Sequence, residues 1–124
     1  MSSFADLGAA KYVLLTTFRR DGRPVPTPVW VVPDGDGLAV WTLADSGKAK
    51  RIRRNARVTV APCTIRGTPT GEAIEVHARV GDRTDADRVR RSLVGKYGLV
   101  GRLTVWGSRV RRGAEATVAV LISP

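Results

Sequence analysis

The first half of the chain alternates short runs of β-branched and aromatic residues with tight polar turns. Residues 11–18 (KYVLLTTF) are followed by RRDGR, whose Asp-Gly pair is a strong hairpin signal. Residues 24–32 (PVPTPVWVV) form a second run, and after the turn PDGDG the run LAVWT at 38–42 forms a third. This pattern predicts a meander of antiparallel strands.

Prolines stand at alternate positions of the second strand, at Pro24, Pro26 and Pro28. A proline has no N–H to give to a sheet ladder, so this stretch cannot be a central, fully hydrogen-bonded strand. We therefore expect an edge strand, or one whose backbone faces a ligand.

The period of the pattern changes after residue 45. Asp45 or Ser46 can cap a helix, and Ala49, Ile52 and Ala56 then fall on one face at helical spacing. We predict a helix over residues 47–55 whose small apolar stripe packs on the sheet.

The rest of the chain contains both strand-like and helix-like patterns. Strands are predicted for RVTVAPC at 57–63, EAIEVHARV at 72–80 and the final run ATVAVLIS, and a helix for residues 84–98. The stretch RLTVWGSRVRRG fits either a helix or a strand, and we favour a helix. The sum is one α+β domain over residues 1–124, a small six-stranded antiparallel barrel with two to three short helices.

Composition excludes several classes of protein. A chain of 124 residues with 43% hydrophobic and 26% charged residues is typical of a single globular domain. No run is long enough to cross a bilayer, and we see no secretion signal. The single Cys63 cannot form an internal disulfide, which favours a cytoplasmic location, and one Cys with one His excludes a conventional structural zinc site.

The net charge of +10 indicates affinity for polyanions, although a merely solvated basic surface is the alternative. Six of the thirteen residues from Asp45 to Arg57 are Lys or Arg. Within this stretch a strand ends at Thr42, and Ser46 and Gly47 open the helix. Lys48 follows in its first turn, with Arg51 one turn later. Free N–H groups, a positive helix dipole, a hydroxyl and an ammonium converge there, which is how proteins bind a phosphate.

Other catalytic signatures are missing from the sequence. The segment SGKA lacks the first glycine and the Ser/Thr of a P-loop, and GDGLAV lies in a hairpin rather than opening a helix. One histidine and no paired carboxylates leave little for acid–base or nucleophilic catalysis. If the protein is an enzyme, its difficult chemistry belongs to a cofactor, and no catalytic side chain is assigned.

Three segments together resemble one family: GRPVPTPVW at 22–30, DGLAVWT at 36–42 and SGKAKRIRRNARV at 46–58. They are similar to the pyridoxamine-phosphate-oxidase-like split-barrel superfamily, and most of all to its short actinobacterial branch that binds the deazaflavin coenzyme F420. The resemblance implies a homodimer of six-stranded split barrels with the cofactor in a groove between the subunits.

The resemblance also implies roles for particular residues. The cofactor phosphate would be held at the end of the third strand and the start of the helix, by Thr42, Ser46, Lys48 and Arg51. The adjoining Trp41 and Gly47 are also expected to bind the cofactor. The tricyclic ring would lie along Thr27, Pro28, Val29 and Trp30, with Ala61, Pro62 and Cys63 behind it. Lys96, Tyr97 and Trp106 would come from the other subunit.

One departure from the family bears on the cofactor. Similar FMN-dependent oxidases carry an arginine where Gly47 stands, and no nearby residue is expected to replace it. They also have a longer C-terminal part that recognises the pyridoxal phosphate product, and its absence here argues against pyridoxamine oxidation. The missing arginine and the surplus of Arg and Lys favour F420, whose tail is a phosphodiester followed by several glutamates, and FMN is the alternative. The expected function is an F420H2-dependent reductase of conjugated small organic acceptors. The alternatives are an FMN-binding oxidoreductase or flavin carrier and, from another class, a basic nucleic-acid-binding barrel. An aromatic content of only 6% argues against the last, because single-strand binders need stacking platforms.

Overall fold

The computed structural model describes residues 4–112 and 117–124, except for the side chains of residue 5 and of residues 99–112. Its elements, in chain order, are α1 (Phe4–Leu7), β1 (Val13–Phe18), β2 (Pro24–Val29), β3 (Val32–Asp34), β4 (Gly37–Leu43), α2 (Gly47–Arg54), β5 (Arg57–Pro62), β6 (Ile74–Val80), α3 (Arg83–Arg112) and β7 (Thr117–Ser123).

The strands form one sheet in the order β2-β1-β5-β6-β7-β4-β3, with every pair antiparallel. Its two edge strands, β2 and β3, follow one another along the chain and are joined by Trp30 and Val31 alone. Because two residues span only a few ångströms, the opposite edges of the sheet must meet at this corner. The sheet therefore curls into an open barrel, as the predicted α+β split-barrel fold requires.

Strand number is the main difference from the prediction, which gave six strands where the described residues form seven. The predicted strand 24–32 is divided, because β2 pairs with β1 whereas β3 pairs with β4 at the other edge. No straight strand can belong to both edges. The prediction of a helix beyond residue 98 is confirmed for the backbone, although α3 is broken at Gly98, whose φ of 62° lies in the left-handed region.

Strand β2 lies at the edge of the sheet, as its prolines predicted. Its partners on β1 run from Val13 opposite Val29 to Phe18 opposite Pro24. Since the prolines cannot donate to β1, the ladder must run through Val25, Thr27 and Val29. The carbonyl groups of the three prolines then point away from β1, so the free edge of β2 offers acceptors and no N–H donors. Such an edge cannot pair with a further strand in the ordinary way.

Two apolar clusters hold the fold together. The larger fills the concave side of the sheet, with Leu15, Val40, Val60 and Val120 among its fully buried members. The smaller joins α3 to the outer face of β3, β4 and β7 through Val89, Leu93 and Ala119. Alternation along each strand sends successive side chains to these two sides. No helix in the described part of the chain is long and apolar enough to span a membrane.

Candidate functional site

The start of α2 is fixed to the end of β4 by two hydroxyl groups. Ser46 is the N-cap, and its Oγ accepts a hydrogen bond from the Ala49 N–H at 3.1 Å. The same Oγ lies 3.1 Å from Oγ1 of Thr42. Ala49 and Ile52 are buried and anchor the helix on the sheet, as predicted. Ala56, the third residue of the predicted stripe, lies beyond the helix and is exposed, because α2 ends at Arg54.

Arg51 is the second polar anchor of this region, and its partner was missed in the sequence. Its Nε donates to Oγ1 of Thr17 at 2.6 Å. Side chains on a helix lean toward its N-terminus, so a residue covers the turn before it. The guanidinium accordingly lies over Gly47, where an added Cβ would be 2.7 Å from Nη1. Thr17 is 1% exposed, at a core-facing position of β1 that the pattern would assign to an apolar residue.

Positive charge accumulates at the start of α2. Burial and the nearby Arg51 guanidinium lower the pKa of Lys48 below its ordinary value of 10.5. Burial, with the like charges of Arg19 and Arg54, also lowers the pKa of Arg51. Among the described residues, no carboxylate forms an ion pair with Lys48 or Arg51. The cations are held together against their own repulsion, which an anion would relieve.

The proposed ring-binding residues surround β1 but divide between the two faces of the sheet. Leu14 pairs with Pro28 on one side and Ala61 on the other, whereas Val13 pairs with Val29 and Pro62. Because neighbours on a strand alternate, Thr27, Val29 and Pro62 share the concave face with Thr17 and the Arg51 contact, and Pro28 and Ala61 lie on the outer face. Cys63 follows β5, half-buried, and burial raises the pKa of its thiol.

Trp41, which was also predicted to bind the cofactor, is separated from the predicted phosphate ligands. It precedes Thr42 on β4, so its side chain points to the opposite face, where it packs against the smaller apolar cluster under α3. Its indole Nε1 is buried and has no hydrogen-bond partner in the described structure. A role for Trp41 in holding the cofactor remains a prediction.

Lys96 and Tyr97 make their contacts within their own chain, at the corner between β2 and β3. The Lys96 ammonium donates to the carbonyl oxygens of Gly8, Ala10 and Val31 at 2.9, 2.6 and 2.6 Å. The Tyr97 hydroxyl accepts from the Val31 N–H at 3.1 Å and donates to the Lys11 carbonyl at 2.7 Å.

Trp30 completes this corner. Its ring stacks on that of Tyr97, with centroids 4.3 Å apart and planes 8° from parallel. The ammonium of Lys96 has three donors, and all three are used. Lys96 and Tyr97 thus fix the segment that contains Trp30 in their own chain, and a role for them in the site of a second subunit stays a prediction. The side chain of Trp106, which was grouped with them, lies outside the described residues.

A comparison with known protein families identifies the family of this chain. The family model described as pyridoxamine 5'-phosphate oxidase matches residues 4–119. The chain belongs to this family. The fold of the family binds flavin-type cofactors, and its members include oxidoreductases. No curated protein matches the sequence at a significant level.

Solved structures agree on the fold of the family. A conserved hypothetical protein from Mycobacterium tuberculosis is 22% identical, with a TM-score of 0.71 over 99% of this chain and 81% of its own. A protein described as an F420 reductase is 20% identical, with a TM-score of 0.64 over 100% of this chain and 94% of its own. A heme storage protein from Vibrio cholerae is 14% identical, with a TM-score of 0.61 over 92% and 81%. At these identities the likeness establishes the fold, and the three descriptions differ in function.

The residues at the start of α2 suit the phosphate of such a cofactor. The first N–H groups of a helix lack intrahelical partners, and Ser46, Thr42, Lys48 and Arg51 add hydroxyl and cationic groups around them. Arg51 presents terminal N–H donors beyond its bond to Thr17. A phosphate would therefore find charge-assisted hydrogen bonds from several directions.

A cavity of about 390 Å³ lies elsewhere, beside the N-terminal part of α3. It is lined by β4, β6 and β7 and includes His77, Arg79 and Ser123. The Arg88 guanidinium at its rim is held by Asp34 through two hydrogen bonds of 2.8 and 3.0 Å. The cavity contains none of the predicted cofactor-binding residues. The described residues also include no group of three or more His, Cys, Asp or Glu that could hold a metal ion.

Proposed function

We propose that the protein is an F420H2-dependent reductase that acts on conjugated or unsaturated small organic acceptors. The observation that carries this proposal is the cationic cluster at the start of α2, where Lys48 and Arg51 stand beside the Ser46 cap and form no ion pair with any carboxylate that the structure describes. The proposed role of this cluster is to bind the phosphodiester of the cofactor. The similarity to an F420 reductase supports the choice of deazaflavin.

The chain's own residues would bind and orient rather than react. When bound, reduced deazaflavin would supply hydride chemistry at its C5, and solvent would provide the accompanying proton for the acceptor. Thr27 and Val29 lie on the same face as the Thr17–Arg51 contact, and their half-exposed side chains at the edge strand would contact the ring. The acceptor-only edge of β2 would accept hydrogen bonds from N–H groups at the rim of the ring. No side chain is assigned as proton donor or nucleophile.

FMN is the second candidate cofactor, and one contact in the structure favours it. The missing arginine at position 47 was expected to weaken FMN binding because no neighbour was placed to replace it. The Arg51 guanidinium lies in the space over Gly47, however, so an arginine does stand close to this position. Weaker binding of FMN than of F420 stays a prediction. An FMN-binding oxidoreductase or flavin carrier thus remains the alternative within the family.

A homodimer with the cofactor at the subunit interface belongs to the same proposal. Thr27 and Val29 are only half-buried on the concave side of the edge strand, so a second subunit would complete the enclosure of the ring. The third candidate, a nucleic-acid-binding barrel, predicts a different outcome, since it needs the whole basic surface rather than a defined phosphate pocket.

The deciding experiment is a parallel titration with F420 and FMN at low and physiological salt, followed by anaerobic and aerobic turnover with each reduced cofactor. We expect tighter binding of F420, hydride transfer to conjugated acceptors and slow reaction with oxygen. Tighter binding of FMN with peroxide formation in air would replace the first candidate by the second. Binding of neither cofactor, together with a salt-dependent oligonucleotide shift, would favour the third.

A further inference from the structure

We infer that Thr17 is a positioning residue, which holds the Arg51 guanidinium over Gly47 so that it meets the phosphate of the bound cofactor. This inference rests on the proposed function and identifies how its anion pocket is built. The three residues come from β1 and from two successive turns of α2. Their juxtaposition depends on the packing of the helix against the sheet.

The position of Thr17 indicates a purpose for its hydroxyl. Val13 and Leu15, the preceding core-facing residues of β1, are fully buried and apolar, and Thr17 follows them with 1% exposure. A buried hydroxyl without a partner is costly, so a polar residue here needs one. Arg51 Nε is that partner, at 2.6 Å. Valine, which has nearly the same shape, would satisfy the core alone.

Arg51 needs such a restraint because its surroundings repel it. Arg51 has three cationic neighbours, Lys48, Arg19 and Arg54, and their like charges repel it. A free arginine would gain both rotamer entropy and charge separation by swinging into solvent. The bond from Nε to Thr17 prevents this and uses one of five donors, which leaves the two terminal nitrogens for a ligand. The guanidinium is thereby oriented before any anion arrives.

Gly47 leaves the space that the Arg51 guanidinium occupies. An added Cβ would lie 2.7 Å from Nη1 of Arg51 and 3.4 Å from Cζ. The crowded atoms belong to the end of a flexible side chain, so Arg51 would move and the helix would not. Since alanine is also a better helix former than glycine, Gly47→Ala should preserve or improve the fold while displacing the guanidinium.

The test compares cofactors with and without phosphate in four proteins: wild type, Thr17→Val, Thr17→Ser and Gly47→Ala. The ligand pairs are F420 and its deazaflavin chromophore without the phosphate tail, and FMN and riboflavin. We expect Thr17→Val and Gly47→Ala to weaken binding of the phosphate-bearing ligand by about tenfold, the effect of one charge-assisted hydrogen bond. The phosphate-free ligand should bind as before, and Thr17→Ser, which keeps the hydroxyl, should restore wild-type affinity.

Several outcomes would overturn the inference. Wild-type affinity of Thr17→Val for the phosphate-bearing ligand would show that Arg51 does not need Thr17. An equal loss of affinity for a phosphate-bearing ligand and its phosphate-free counterpart would indicate general damage to the site. Thermal melts of each variant would then show whether the core is affected. If wild type binds neither F420 nor FMN, the proposed function fails and this inference fails with it. If wild type binds but the variants do not discriminate, only the inference fails.

Discussion

The ammonium of Lys96 on α3 donates to the carbonyl oxygen of Val31 at 2.6 Å, across 65 residues of sequence. This contact joins the helix to the corner where the two edges of the curled sheet meet. Tyr97 reaches the same residue with its hydroxyl and stacks on Trp30. Lys96 and Tyr97 therefore fix this corner in place. The predicted ring-binding segment, residues 27–30, ends there.

Loss of the Lys96 ammonium should destabilise the protein. Lys96→Met keeps most of the aliphatic stem but removes the ammonium donor from the carbonyls of Gly8, Ala10 and Val31, of which Val31 keeps the Tyr97 hydroxyl at 3.1 Å. We expect unfolding free energy to fall by about 1–3 kcal/mol, since hydrogen bonds to a charged group are involved and the site is partly solvated. Chemical denaturation measures this, with the exposed Lys11→Met as the control. A variant as stable as wild type would show that water replaces the ammonium without loss.

Substitutions of Tyr97 should separate the effect of its hydroxyl contacts from the effect of its ring stack on Trp30. Tyr97→Phe removes the contacts to Val31 and Lys11 but keeps the stack on Trp30, so we expect a stability loss of about 1 kcal/mol. Tyr97→Ala also frees the Trp30 ring and should weaken binding of phosphate-bearing and phosphate-free cofactors alike. Equal cofactor affinity of Tyr97→Ala and Tyr97→Phe would contradict a role for the stack in shaping the ring site.

Lys48→Ala and Arg51→Ala should each lower affinity for a phosphate-bearing cofactor by about tenfold or more. Lys50→Ala is the matched control, because Lys50 lies on the same helix but is exposed. Binding is measured by fluorescence titration at two salt concentrations. Comparable losses at all three positions would indicate a diffuse electrostatic surface and favour the nucleic-acid alternative.

Cofactor binding should weaken with alkaline pH, and earlier than for an ordinary lysine. Burial and Arg51 hold the pKa of Lys48 below 10.5, so the ammonium needed by the phosphate is lost as pH rises through that lowered pKa. Lys48→Arg keeps its charge and should show a flatter profile for F420 binding. Identical pH profiles for the two proteins would mean that Lys48 does not contact the phosphate.

The same shift has the opposite sign for the stability of the ligand-free protein. Between the lowered pKa of folded Lys48 and 10.5, the unfolded chain binds more protons than the folded one, so the stability contribution of this group rises with pH. Lys48→Met should therefore raise the melting temperature of the ligand-free protein at neutral pH while weakening cofactor binding. A lower melting temperature would show that Lys48 stabilises the fold.

The protein should be a dimer in solution, because the half-exposed concave side of β2 would otherwise leave the ring site open to water. Light scattering at several concentrations checks this. A stable monomer that binds F420 with full affinity would remove the proposed interface site.

The sequence by itself determined the features that depend on local backbone chemistry. Alternating prolines require an edge strand wherever β2 is placed, because they lack N–H groups. Ser46 caps α2 and Lys48 falls in its first turn whatever the helix packs against. The cluster of hydroxyl and cationic side chains at the start of α2 was predictable for this reason, since its members lie within ten residues of one another.

Tertiary structure decided the relationships that join distant parts of the chain. Thr17 and Arg51 are 34 residues apart, and Val31 and Tyr97 are 66 apart. Sequence periodicity assigns a side chain to a face but does not say which distant residue shares it. The register of β1 with its neighbours placed Thr17 beneath α2, and the closing of the curled sheet split one predicted strand into β2 and β3. Both depend on how the strands pair, which only long-range packing determines.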